Sequence, residues 1–423
     1  MKHLSFLLLA LAFTVGFASL SSCSKGDLED ETVPVDDLIP REDISLTRAE
    51  TEYVQANNTF ALELFKNVSA AEGGKSMLLS PLSVTFAFGM VNNGAVGTTK
   101  DEINATLGFG EDTNSMNEFC SKMLKESAKV DPSTIIEIAN AAVVNTMDGG
   151  KLKDGFVKAV ENNYGAVVYN KDFSKDDVKT LINKWCSEKT HGMIPELLKD
   201  QVKPEEFAHF LNATYFKGIW SSQFSKNDSK KESFILEDGS KTTVNMMRQK
   251  AKFNYSSFKG VGEALCLPYG NQAYRMLVFL PEAGQTIQDL KASLNINTWN
   301  AFVSNMYGVE VDVKLPSFES EYSIDMAGIL DKMGIHQAFQ PSADFSEMTA
   351  TSVRISKVLQ KAKIKVDEQG SEAAAVTSVV MQKNSVSDSA PKSVEFHADR
   401  PFIYAITEVS TGAIFFIGQY TGK

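Results

Sequence analysis

Hydrophobic and polar positions change period several times along the chain. Phe60, Leu64 and Val68, flanked by Ala61 and Phe65, recur at the interval of a helix with one buried face. Thr47-Arg48-Ala49-Glu50 has capping-box spacing and sets the start of that helix. A second helix is predicted over 80–94, with Pro81 in its first turn and Val84, Phe88 and Val91 close to one face. The middle of the chain mixes both periods. A strand is predicted over 135–146, a helix over 178–190 with Leu181, Trp185 and Glu188 at helical spacing, and strands over 207–216 and 275–280. Over 310–315 the alternation is clean, Val309, Val311, Val313 and Leu315 sharing one side. A further helix over 324–334 stops at Gly334. Strands and helices interleave with no fixed strand-helix-strand rhythm, which predicts an α+β class with a large mixed β-sheet. No repeat is visible.

The most informative stretch begins at Val358. Val358, Gln360, Ala362, Ile364 and Val366 alternate with Leu359, Lys361, Lys363, Lys365 and Asp367, a strand with one mostly apolar and one mostly charged face. It runs into Glu368-Gln369-Gly370, where the glycine supplies a permissive hinge. In the next segment Ser371, Ala373, Ala375, Thr377, Val379 and Met381 form one parity set, and none is charged; Glu372 falls in the other set. A strand of this pattern can slide one face into a packed core without burying a charge. The competing readings of the same run are an alanine-rich helix and an ordinary surface loop. A polar, loop-like segment follows from Gln382 to Lys392.

Composition and charge narrow the function classes. Of 423 residues, 43% are hydrophobic and 22% charged, so a sizeable core is available. The net charge of −11 argues against nucleic acid or another polyanion as partner, since both need clustered Lys and Arg. No G-x-S-x-G elbow is present, and the five histidines show no H-E-x-x-H spacing. Gly74-Lys75-Ser76 looks like the end of a phosphate-binding loop, but Ser69 stands where that loop needs glycine, so Gly73-Gly74 reads as a turn. Cys120, Cys186 and Cys266 are widely spaced and read as buried small hydrophobes rather than as a disulfide framework or zinc site. No cofactor and no metal site is expected.

The N-terminus carries a different message. Residues 4–20 are almost wholly apolar after Lys2, the signature of a secretory signal. Leu20-Ser21-Ser22-Cys23 resembles a bacterial lipobox, which implies cleavage before Cys23 and a diacylglycerol on its thiol; the alternative is an ordinary signal with a chance cysteine. Two or three acyl chains anchor stably. Residues 24–45 are acidic and contain proline, as a flexible tether does, and their acidity just after Cys23 resembles a surface-export signal. The expected organisation is a signal peptide at 1–22, a lipidated cysteine and acidic tether at 23–46, and a folded domain at 47–423. The expected location is the bacterial outer membrane or cell surface, facing outward or toward the periplasm.

Four sets of residues resemble the serpin family in family order. Glu368-Gln369-Gly370-Ser371-Glu372-Ala373-Ala374-Ala375 resembles the hinge of inhibitory serpins. Ser80-Pro81-Leu82-Ser83 with Gly94-Ala95-x-Gly97-Thr98-Thr99 resembles the second helix and its turn. Asn212 through Trp220 resembles a central-sheet strand with its breach tryptophan, and Asp399-Arg400-Pro401-Phe402 with Gly412 through Gly418 resembles the C-terminal strands. The resemblance implies a serpin fold with a large mixed sheet, further sheets, about eight to nine helices and an exposed reactive-centre loop. It implies a monomeric suicide-substrate inhibitor of serine, and also cysteine, endopeptidases, with no catalytic residues of its own. The alternative within the family is a non-inhibitory binding or carrier protein. By the same resemblance Ser80, Ser83, Asn212, Trp220 and Gln360 belong to the shutter and breach. Gln360 stands where the family often has histidine, and Val376 is bulkier than the usual hinge residue. Gln360 is expected to form a modified hydrogen-bond cluster with Ser80, Ser83 and Asn212. Counting from Glu368 places the cut after Asn384, before Ser385, or one residue earlier after Lys383. Lys383 is the long cation nearest that bond, which favours a trypsin-like target protease.

Overall fold

Thr47 accepts a hydrogen bond from the Glu50 amide at 3.2 Å, and the Glu50 carboxylate accepts from the Thr47 amide at 2.7 Å. This reciprocal cap satisfies two otherwise orphaned donors and starts α1 (Arg48–Glu72), which Gly73 closes in a left-handed conformation at φ 61°. The computed structural model describes residues 39–110, 112–371 and 393–423. After α1 come β1 (Met77–Leu79), α2 (Pro81–Asn92), α3 (Gly97–Leu107), α4 (Thr113–Ser127), β2 (Ile135–Asn145), α5 (Asp154–Tyr164), β3 (Val167–Lys171), α6 (Val178–Lys189) and β4 (Ala208–Ile219). The chain continues through β5 (Lys230–Ile235), β6 (Lys241–Phe258), β7 (Gly262–Tyr269), β8 (Tyr274–Pro281), α7 (Ile287–Ser293), α8 (Ile296–Ser304), β9 (Tyr307–Asp325) and α9 (Ala327–Met333). It ends with β10 (Leu359–Val366), β11 (Gly370–Ser371), β12 (Val394–His397), β13 (Phe402–Glu408) and β14 (Ile414–Tyr420). Nine α-helices thus occur among the described residues.

One sheet runs β3-β2-β4-β11-β10-β9. β2 lies antiparallel to β4 from Ile135↔Lys217 to Val144↔Ala208, and β3 is parallel to β2. The long strand β9 belongs to two layers. Its C-terminal part pairs with β10, while its N-terminal part pairs with β6 and β12. From β6 the pairing continues through β7, β8, β13 and β14 to β1. Strand parity explains how the first sheet is covered on both faces. Ala142, Val144 and Phe216 join the main core with α1 and α2. Ala141, Val143, Leu211 and Ala213 point the other way and meet Ile182, Trp185 and Cys186 of α6.

Local reading and structure differ in three places. The strand read at 310–315 extends through Pro316 to Asp325, so Ile324 and Asp325 are strand and the next helix starts only at Ala327. Hydrogen bonding to β10 carries the strand past the point where side-chain period stops marking it. Contact with the body also begins before Thr47. Ile44 is buried, its amide donates to Ser410 Oγ, and Lys122 donates to the Ser45 carbonyl. Third, β13 and β14 are buried at every position, so they show no alternation to read. Cys120, Cys186 and Cys266 are free and buried.

Candidate functional site

The site is the boundary between β4 and β10. These two strands run parallel, each being antiparallel to β11, and among the described residues the two-residue β11 is the strand that lies between them. Two inter-strand spacings therefore separate β4 from β10 at that level, about 9.6 Å. Each strand has one edge committed, β4 to β2 and β10 to β9. Beyond β11, no ladder among the described residues joins the two facing edges. Strand edges carry N–H and C=O groups that are templates for another strand.

The upper end is built by the chain reversal after β10. Asp367 N donates to the Gly370 carbonyl at 2.9 Å and Gln369 N to the Asp367 carboxylate at 3.0 Å. The turn is clamped from β4 and the segment after it. Trp220 N donates to the Gln369 carbonyl at 2.8 Å, Trp220 Nε1 to the Asp367 carbonyl at 2.9 Å, and Phe224 N to the Glu368 carbonyl at 2.9 Å. Asn245 Nδ2 donates to the Glu368 carboxylate at 3.0 Å. Gly370 then pairs with Ile219, while Ser371 pairs with Gly218 on one side and Val366 on the other. A Cβ on Gly370 would fall on the Gly218 carbonyl oxygen, and one on Gly218 would meet the Tyr269 ring at 2.8 Å, so both glycines are required by close approach. Ser371 is buried, and its hydroxyl lies 2.7 Å from the Tyr269 hydroxyl. Tyr269 stacks on Trp220 with ring centroids 4.4 Å apart. Burial pushes the Tyr269 phenol well above its ordinary range, so it stays neutral, able both to donate and to accept.

A second cluster lies lower down. Gln360 Nε2 donates to the Ser80 carbonyl at 2.6 Å and its Oε1 accepts from the Ser80 amide at 3.2 Å. The Ser80 and Ser83 hydroxyls are 2.8 Å apart, and Ser83 is 2.6 Å from the Thr214 hydroxyl. Thr214 donates to Asn212, Asn212 to Asn140, and Asn140 to the Tyr164 carbonyl. The chain of bonds therefore links β10, the start of α2, β4, β2 and the end of α5. Gln360 enters it through the Ser80 backbone rather than a side chain, and Thr214 carries the link from Ser83 to Asn212. Over the opposite face, Lys361 Nζ donates to the Glu196 carbonyl at 2.9 Å, tying β10 to the segment between α6 and β4.

The model of the family described as "Serpin (serine protease inhibitor)" matches residues 55–422. The chain belongs to the serpin family. Iripin-2 of Ixodes ricinus is 31% identical to this serpin over 378 residues, covering 88% of this chain and 93% of its own. Serpin B6 of Pongo abelii is 32% identical over 387 residues, covering 87% and 98% respectively. Among solved structures, a thermophilic serpin, tengpin, in the native state superposes with a TM-score of 0.80 at 25% identity, covering 94% of this chain and all of that one. A thyroxine-binding globulin in complex with thyroxine gives 0.78 at 25% identity, covering 87% and 98%. The fold is the serpin fold, with its large mixed sheet and helices, and members of this family are typically protease inhibitors rather than catalysts.

Of the residues singled out in the sequence, Glu368, Gly370, Ser371 and Trp220 meet at the upper end of the boundary, and Ser80, Ser83, Asn212 and Gln360 meet lower down. Glu372, Ala373, Ala374, Ala375, Val376, Lys383, Asn384, Ser385 and Cys23 lie outside the described residues. Tyr269, Asn245, Thr214 and Asn140 were not visible as site residues. Each sits in an ordinary strand run, and only long-range pairing brings it to the boundary.

Proposed function

We propose that this serpin is a suicide-substrate inhibitor of serine endopeptidases, and of some cysteine endopeptidases, that traps the acyl-enzyme by inserting its cleaved loop between β4 and β10. The observation that carries this reading is β11: the first hinge residues already occupy a strand position between those two strands. A target protease attacks the loop, its serine or cysteine forms an ester or thioester with the residue before the scissile bond, and the new amine end departs. The freed segment then extends β11 downward. From Gly370 to Asn384 it spans roughly 50 Å at about 3.3 Å per residue, comparable to the diameter of a protease, so the enzyme is dragged and distorted before water can deacylate it. Ladders form on both sides of the new strand. At about 1 kcal/mol each, ten or so added bonds stabilise the product by on the order of 10 kcal/mol.

Lys383 is proposed as the residue before the bond for trypsin-like enzymes, with Asn384, preceding Ser385, as the second site. Cys23 is proposed to carry the lipid that holds the protein, as a monomer, at the bacterial outer membrane or cell surface. The test is to mix the chain from Ser24 with trypsin and follow it on a denaturing gel with mass spectrometry. A detergent-stable complex near the summed mass, with a released peptide beginning at Asn384 or Ser385, is expected. Loop cleavage without a complex for trypsin, elastase-like, subtilisin-like and cysteine proteases alike would instead place the chain among non-inhibitory, carrier-type members. Lys383→Ala should weaken trypsin trapping, and unchanged trapping would move the bond elsewhere.

A further inference from the structure

The polar chain that starts at Gln360 continues beyond the Tyr164 carbonyl. Tyr164 ends α5, and its hydroxyl donates to Asn117 Oδ1 of α4 at 2.8 Å. Asn117 and Asn93, just past the end of α2, exchange a reciprocal pair of amide bonds at 2.8 and 3.0 Å. Asn93 also donates to the Gly89 carbonyl of α2 at 2.8 Å. A Cβ on Gly89 would lie 2.6 Å from the Tyr164 hydroxyl oxygen, so α2 is bare where the phenol meets it. Tyr164, Asn117 and Asn140 are buried. Burial lifts the phenol well above its ordinary range, so it keeps its proton and donates.

These bonds join elements on the two sides of the β4–β10 boundary. α2 goes with β10, through Ser80 and Gln360. β4 goes with β2 and β3, and Asn140 of β2 ties α5 to them through the Tyr164 carbonyl. For β4 to part from β10, α5 must therefore shift against α2 and α4. The start of α5 is pinned, since Leu152 pairs with Thr349 and Lys153 N donates to the Met348 carbonyl at 2.8 Å. Its other end, eleven residues or about 16 Å along the helix, is held by the Tyr164 hydroxyl. Apolar contacts are non-directional and can slide, whereas a hydroxyl-to-amide bond needs its geometry and must break. We propose that the Tyr164 hydroxyl is a latch that sets how readily β4 swings away from β10, with the Leu152–Thr349 pairing as the pivot. Tyr164 is then a positioning residue for strand insertion, acting from outside the boundary, and this role rests on the insertion reading above.

The probe is a synthetic peptide with the sequence of residues 371–383, incubated with the intact chain from Ser24; its addition as a strand is followed as growth of a more heat-stable species. Tyr164→Phe keeps the ring, and Asn117 Oδ1 keeps its bond from Asn93, so no group is orphaned. Annealing should be about fivefold faster in Tyr164→Phe than in wild type, the factor that one typical net hydrogen bond supplies. Asn117→Ala should accelerate it similarly, and the double variant no more than either single one. Tyr274→Phe is the control: it removes another buried tyrosine hydroxyl, bonded to the Ser127 carbonyl at 2.5 Å, and should lower the melting temperature while leaving the annealing rate unchanged. Equal acceleration by Tyr274→Phe would reduce Tyr164 to a structural residue. If wild type gains no stability from the peptide or from loop cleavage, the insertion reading fails and the latch with it. If cleavage does stabilise wild type, and annealing to Tyr164→Phe is absent or no faster than to wild type, the latch alone is overturned.

Discussion

Tyr269 meets β11 through a single hydroxyl. It faces Ser371 at 2.7 Å in a fully buried setting, and removing one partner leaves the other without a bond, at a cost of about 1–3 kcal/mol. Tyr269→Phe and Ser371→Ala are each expected to lower the urea midpoint, and the double variant should lose less than the sum. Strict additivity would mean that the two hydroxyls do not act as a pair. Glu206 makes a pH-dependent contribution. His209, with Nε2 2.8 Å from the carboxylate, comes first among the causes that hold its carboxyl below the ordinary 4.5, with Lys357 adding to it against the opposing effect of burial. A carboxyl depressed in the folded state contributes stability above its unfolded value, and that stability is lost as pH falls through the folded one. Wild type should therefore exceed Glu206→Gln in melting temperature at neutral pH, with the gap closing below about pH 4.5; a gap that persists at pH 3 would refute the coupling.

β10 and β11 show what an element transmits from sequence and what it does not. Gln360, Ala362, Ile364 and Val366 are buried and the intervening lysines lie on the other face, as the alternation from Val358 predicted. Lys361 and Lys363 make ion pairs with Glu321 and Glu319 on β9, which the period does not reveal. β11 has two residues, too short for any period; its position comes from Trp220, Gly218 and Tyr269. Ser371 is 1% exposed, so a charge there cannot enter the sheet without large desolvation cost. Under the proposed insertion, Ser371→Glu is expected to abolish the detergent-stable complex while loop cleavage continues. Undiminished complex formation by that variant would count against insertion beginning at β11.

For the whole molecule, the proposed insertion turns on stored free energy. If the cleaved loop completes a strand between β4 and β10, the added ladders stabilise the product by on the order of 10 kcal/mol. Cleavage within 383–385 should then raise the melting temperature by tens of degrees, measured by calorimetry on intact and nicked protein; an unchanged transition would count against insertion. The sequence by itself determined the fold class, the helix starts at Thr47 and Pro81, the two-faced strand that begins at Val358 and the uncharged parity set after Gly370. Periodicity, caps and small-residue runs are local, and local stereochemistry reads them directly. Only the tertiary structure decided which strand edges face each other, that Gln360 engages the Ser80 backbone 280 positions away, and that Tyr269 meets Ser371. Those partners are set by hydrogen bonds between segments far apart in the chain, which no local period encodes.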